Sequence, residues 1–163
     1  MPLLSRTPSG PRQPMLNLPP MVQALILTSI LVFAITWFLS DDAWTELMMR
    51  WAFIPARYGE DPASLDAVLS PFTSLFLHGG FLHLGINMVS LAAFGSGIER
   101  YLGSTRMLAL YLLCGLAGSA VHLAFHWGSP VPVIGASGAI SGLFGGLAWI
   151  LGRQHGNIIA LVL

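Results

Sequence analysis

Charge is scarce in this sequence. Of its 163 residues only 9% are Asp, Glu, Lys or Arg, against about 25% in an ordinary soluble domain. Lysine is absent: the seven basic residues are all arginine, and seven acids balance them to a net charge of zero. With no basic patch, nothing points to nucleic acid as a partner. A single cysteine, Cys114, excludes an intrachain disulfide, and its apolar neighbourhood reads as that of a buried thiol. What the sequence has in quantity is apolar character: 55% of residues are hydrophobic and the mean hydropathy is +0.73. Many of the 18 glycines lie inside apolar runs, where glycine lets membrane helices approach closely. The class is an all-α, polytopic membrane protein.

Residues 1–20 are proline-rich, carry Arg6 and Arg12, and read as a disordered tail; residues 21–163 read as the membrane domain. Met21–Leu39 holds no charge and approaches the ~20 residues that span a bilayer. A signal peptide is the alternative, but this run ends in Trp37 and Phe38 and then Asp41-Asp42 rather than in small residues. Residues 40–70 hold six of the seven acids, interleaved with Trp44, Leu47, Met48, Trp51, Phe53 and Ile54. That mixture suits an amphipathic segment at the membrane interface. Further apolar runs cover Phe72–Ile98, Met107–Phe125 and Val133–Leu151, and Asn157–Leu163 begins another. The expectation is four complete spans plus the start of a fifth. Arg6, Arg12, Arg100, Arg106 and Arg153 fall on the tail's side, Arg50 and Arg57 on the other. This asymmetry favours a cytoplasmic N-terminus in the cell membrane.

Polar groups within the spans are costly in hydrocarbon, so each is a candidate for function. His83 and Asn87 stand four residues apart, on one helix face. Ser137 lies in Ile134-Gly135-Ala136-Ser137-Gly138, where a proline-bearing loop turns into an apolar run. Free N–H groups at a helix start favour developing negative charge, which is what acyl transfer to a serine requires. Blander readings stand beside these. Ser137 alone could cap its helix, His83 and Asn87 could be a satisfied interhelical pair, and Gly138, Gly142 and Gly146 could be a packing stripe. Close approach along that stripe is the expected means of carrying His83 and Asn87 toward Ser137.

The joint pattern is more specific than its parts. His78, His83 and Asn87 in the spacing His-x-x-x-x-His-x-x-x-Asn, then Glu99-Arg100 with Gly103, then Gly-Ala-Ser-Gly opening a later span, resembles the rhomboid family over residues 70–152. The resemblance implies a six-helix core that cleaves transmembrane protein substrates within the lipid bilayer, with a Ser–His dyad and no cofactor. It assigns Ser137 as nucleophile, with His83, Asn87 and the Ser137 backbone N–H stabilising the oxyanion. His78 would order a loop, Gly135 and Gly138 would shape the turn, and Glu99 and Arg100 would brace the inner ends of the second and third helices. Two features depart from the family: Leu69-Ser70 occupy the place of a Trp-Arg pair, and Ser141 that of an aromatic stacking on the base.

The family's general base comes from a sixth span, and this sequence stops before it. His155 lies 18 residues past Ser137, ~27 Å along a helix, too far to serve. His122 and His126 share a face, but no third ligand is near in sequence to complete a zinc site. The expected reading is an intramembrane serine endopeptidase whose base lies beyond Leu163. A non-catalytic relative that binds transmembrane clients is the rival. A small transporter would want charged or broken helices at mid-membrane, and none is seen.

Overall fold

The computed structural model describes residues 17–162, with side chains as far as Arg153. Of the expected tail, residues 1–16 lie outside the described residues, as do the side chains of His155 and of the 157–163 run. Helix α1 is Pro20–Trp37, opened by a proline whose fixed φ suits a first turn. α2 is Asp41–Trp51, capped by the Ser40 hydroxyl and carrying Asp41 and Asp42 in its first turn, both favourable at a helix N-terminus. The short α3, Arg57–Glu60, and α4, Leu65–Thr73, follow, and a 3₁₀ turn, Ser74–Phe76, ends this segment.

The second membrane helix is built from α5, Phe81–Ser90, a π-helical turn, Leu91–Gly95, and α6, Ser96–Leu102. It starts at Phe81 rather than at Phe72, because residues 72–76 complete α4 and its 3₁₀ turn. After Gly103 the chain reverses into α7, Ser104–Phe125, and a loop leads to α8, Ser137–Val162. Pro20–Trp37, Phe81–Leu102 and Ser104–Phe125 are each long and apolar enough to cross a membrane. Although α7 packs against α8, several of its large apolar side chains, Leu113 and Val121 included, remain exposed. The expected break at Gly152–Gly156 is absent: α8 continues as one helix to Val162. A polar, glycine-bearing stretch without proline lowers helix stability by about 1 kcal/mol per glycine, which does not terminate a helix. The separate start of a fifth span is therefore not an element of this structure.

The helix ends sort into two levels. At one, the buried Glu99 accepts hydrogen bonds from Met21 N (3.0 Å), Val22 N (2.8 Å) and the Ser104 hydroxyl (2.7 Å). One carboxylate thus satisfies two free amides of α1 and ties them to the start of α7. Arg100 donates to the Asn17 carbonyl at 2.8 Å. At the other level, Phe53 and Val133 exchange both backbone hydrogen bonds, and Ala56 N donates to Ser129 O at 2.9 Å. The loop before α8 is thereby joined to the 40–76 segment. That segment is knit internally by Arg57, which donates to the carbonyls of Met49, Ala52 and Asp66. Thr73 adds a bond to Trp51 O at 2.7 Å.

α7 and α8 pack more extensively than any other pair of elements. Their backbones meet at Gly118 and Gly138, where a Cβ on Gly118 would lie 3.3 Å from the Gly138 Cα. One turn on, a Cβ on Gly142 would lie 2.2 Å from Cys114 Sγ and 2.4 Å from its Cβ. Gly138 and Gly142 of the stripe therefore face α7, while a Cβ on Gly146 would lie 3.4 Å from Ile98 Cδ1 of α6 and 3.6 Å from Leu110 Cδ2 of α7. Cys114 is too short to swing aside, so Gly142→Ala must separate the helices. Overpacking costs about 1–3 kcal/mol, and we expect Gly142→Ala to lower the thermal midpoint in detergent. Adding Cys114→Gly should restore part of the loss; an unchanged midpoint in the single variant would refute the crossing.

Candidate active site

Ser137 is the first residue of α8, with Ala136 as the cap whose carbonyl accepts from Ile140 N at 2.9 Å. The amides of the first turn after Ala136 have no intrahelical acceptor. Gly135 sets the turn: its φ is +111°, a conformation that suits glycine, and its N–H donates to Ser74 O at 2.8 Å. A Cβ at Gly135 would also lie 2.6 Å from His83 Nε2. The His83 ring therefore packs directly over the Gly135 backbone, two residues before Ser137.

An open cleft of about 500 Å³ separates α8 from the α5 helix. His83, Asn87 and Ser90 line one wall, Ser137, Ile140 and Ser141 the other, and Phe94 meets Phe144 at its far end with ring centroids 5.0 Å apart. The expected residues Ser137, His83 and Asn87 thus share one cavity. Asn87 is buried; its Nδ2 donates to His83 O at 2.8 Å, which leaves the second N–H of the amide available. Ser141 Oγ donates back to Ser137 O at 2.8 Å. Ser137 is exposed to the cleft, and its hydroxyl makes no hydrogen bond among the described residues. Its depth follows from the helix crossing: Gly118 lies about two turns, ~10 Å, below the end of α7 at Phe125.

A smaller cavity of about 180 Å³ lies behind Ser137, lined by Ser74, Ser119, His122, Gly135 and Gly138 among others. Ser119 and His122 were not expected near the serine. Their signal was the run of small residues Cys114, Gly115, Gly118 and Ser119 leading to His122 along one face of α7. The His122 ring stacks on His126 at 4.1 Å and 9°, and no group of three or more His, Cys, Asp or Glu able to hold a metal exists among the described residues.

Of the other expected residues, His78 is 1% exposed. Its Nδ1 lies 3.2 Å from the Phe76 carbonyl and its ring meets the His83 ring edge-on at 5.1 Å, so it buttresses the first turn of α5 from outside the cleft. Glu99 and Arg100 stand at the opposite end and hold α1 as well as the second and third helices.

A buried carboxylate tying three helix ends together, a serine at a helix start and a His–Asn pair across a shared cleft define a polytopic helical membrane protein. A model of the rhomboid domain matches residues 66–162, more than half of the chain, and the chain belongs to the rhomboid family. It is 42% identical over 78 residues to the rhomboid protease GluP of Bacillus subtilis, covering 48% of this chain and 15% of that protein. It is 49% identical over 74 residues to RHOMBOID-like protein 5 of Arabidopsis thaliana, covering 45% of this chain and 24% of that protein. Rhomboid protein 1, mitochondrial, of Saccharomyces cerevisiae is 28% identical over 146 residues, covering 87% of this chain and 39% of that protein. In each case the chain spans less than half of the relative's length.

Burial lowers the His78 pKa, its contact with Phe76 O opposes this, and His83 lowers it further. The folded state thus resists a proton that the unfolded chain accepts near pH 6.5. Stability contributed by neutral His78 is present above that value and lost as the pH falls below it. We expect the thermal midpoint to fall between about pH 7.5 and about pH 5.5, and less steeply in His78→Gln. An equal slope in the two proteins would show that His78 does not control it.

Proposed function

We propose that this chain carries the nucleophile and the oxyanion site of an intramembrane serine endopeptidase acting on transmembrane protein substrates. The observation that carries the reading is the shared cleft, with Ser137 on one wall and His83 and Asn87 on the other. A substrate strand unwound into it would present a carbonyl carbon to Ser137 Oγ. As the C–O bond forms, charge moves to the carbonyl oxygen. The Ser137 N–H, the free Asn87 N–H and a protonated His83 nitrogen are the donors for that charge. The serine proton passes to a base and then to the leaving amine. Water next cleaves the acyl ester, and the cavity behind Ser137 has room for a few molecules at ~30 Å³ each.

Among the described residues no histidine is hydrogen-bonded to the Ser137 hydroxyl, so the proposal assigns the base to a histidine beyond Leu163. General-base help is worth about 10²–10⁴ in rate. A fluorophosphonate probe should therefore label Ser137 in the chain extended by its natural downstream sequence and barely label residues 1–163. Equal labelling would put a base within this chain, with His122 and His83 the candidates. No labelling of either form would favour the non-catalytic, client-binding alternative. In the extended form, His83→Ala should lower turnover by about 10²–10³ with little change in thermal midpoint, and Asn87→Ala should be milder. Wild-type turnover in both would remove these residues from the mechanism.

We further place the N-terminus in the cytoplasm of a cell whose plasma membrane the chain spans, with the 40–76 segment and Ser137 toward the outside, on the arginine asymmetry. A cysteine replacing Glu60 in a Cys114→Ser background should react with an impermeant thiol reagent added to intact cells. Reaction only after permeabilisation would reverse the orientation.

A further inference from the structure

The end of the molecule at Glu99 carries cations that no carboxylate side chain of this sequence is left to neutralise. Glu99 is the one acid there, and its oxygens already accept from Met21 N, Val22 N and the Ser104 hydroxyl. The other six acids all lie between Asp41 and Asp66, past the far end of α1. The single ion pair among the described residues, Arg50 with Asp66, is made at that far end. Arg100 is turned toward α1, where it donates to Asn17 O. Arg106 and Arg153 are exposed, and neither is hydrogen-bonded or ion-paired among the described residues.

The α7–α8 register brings these two arginines together. Gly118 meets Gly138, Cys114 meets Gly142 and Leu110 lies against Gly146, so each four-residue step back along α7 matches a four-residue step forward along α8. Continued, this register sets Arg106 opposite Ile150 and Arg153 opposite Gly103. The two arginines thus differ in depth by three residues, ~4.5 Å. Arg106 stands one turn before Leu110 and Arg153 two turns after Gly146, so both continue the faces along which the helices meet. A Cβ on Gly103 or on Gly152 would meet nothing within 4 Å, which leaves the mouth of the seam open among the described residues. The Arg153 guanidinium lies 4.8 Å over the Trp149 ring. Trp149 and Tyr101 are both exposed, as aromatic residues are at headgroup depth.

A guanidinium presents paired N–H donors that match two phosphate oxygens. A zwitterionic headgroup brings a cation of its own, which two adjacent arginines repel. We propose that Arg106 and Arg153 together bind the headgroup phosphate of an anionic phospholipid at the mouth of the α7–α8 seam, with Trp149 holding Arg153 in place. The exposed Leu113, two turns from Arg106 on the same face of α7, continues the site toward the acyl chains. The binding depends neither on Ser137 being a nucleophile nor on which side of the membrane this end faces.

The 163-residue chain is reconstituted in nanodiscs of equal phosphatidylcholine and phosphatidylglycerol, extracted into maltoside and examined by native mass spectrometry. The wild type should retain phosphatidylglycerol over phosphatidylcholine by about thirtyfold, because each arginine beside an anionic headgroup contributes about fivefold. Arg106→Gln and Arg153→Gln should each lower that ratio about fivefold, and the double variant should retain the two lipids alike. Arg50→Gln, at the other end of the molecule, should leave the ratio unchanged. The proposal is overturned if the wild type retains both lipids equally, or if the double variant keeps the preference. It is equally overturned if Arg50→Gln lowers the ratio as much, which would make the effect one of net charge alone. Loss of the preference in millimolar inorganic phosphate would assign a soluble anion instead and would also overturn it.

Discussion

At Gly118 and Gly138 two helix backbones meet with no side chain between them, and the position of Ser137 follows from that meeting. Gly138 adjoins the serine, so the point on α7 that it touches decides how deep the hydroxyl lies. Gly142 against Cys114 fixes the same register one turn further on. Backbone contact of this kind has almost no play, because nothing flexible lies between the two surfaces. The rest of the site is built outward from it. Ile140 and Ser141 become one wall of the cleft, and α5 supplies the other.

The opposing wall is placed by the loops rather than by the helices. Gly135 passes beneath the His83 ring while its N–H is held by Ser74 and its neighbour Val133 is paired with Phe53. The 40–76 segment therefore reaches both walls: it fixes the approach to α8 through backbone bonds, and its last turn leads through His78 into the start of α5. A region that resembles a surface decoration sets the separation between a serine and a histidine 54 positions apart in sequence.

Much of this was legible beforehand, and for identifiable reasons. The apolar runs of α1 and α7 gave their helices within a few residues, since hydrocarbon demands an internally satisfied backbone and an unbroken run. The His83–Asn87 spacing and the Gly-Ala-Ser-Gly turn pointed to the two walls of the cleft. Three features were not legible. Residues 72–76 are as apolar as a span, and only the contacts of Thr73 and Ser74 with Trp51 and Gly135 show that they belong to the outer segment. The stripe on α8 announced a close neighbour without naming which: Gly138 and Gly142 meet α7, and Gly146 lies against both Ile98 and Leu110. The polar stretch after Leu151 has the composition of a loop, but without a proline the helix continues.

The Glu99 carboxylate has a bearing on the order in which the chain assembles during synthesis. Its partners on α1 lie 78 and 77 residues earlier, so the first helix must leave the ribosome and enter the membrane with two amides still unpaired. Such groups cannot pass into hydrocarbon without an acceptor. The N-terminal end of α1 is thus held at the water boundary until the second helix has been made and its carboxylate arrives. The Ser104 hydroxyl closes the clamp only when the third helix begins. Insertion of the first helix and its locking are separate events, and the second waits on a residue that is translated almost eighty codons later.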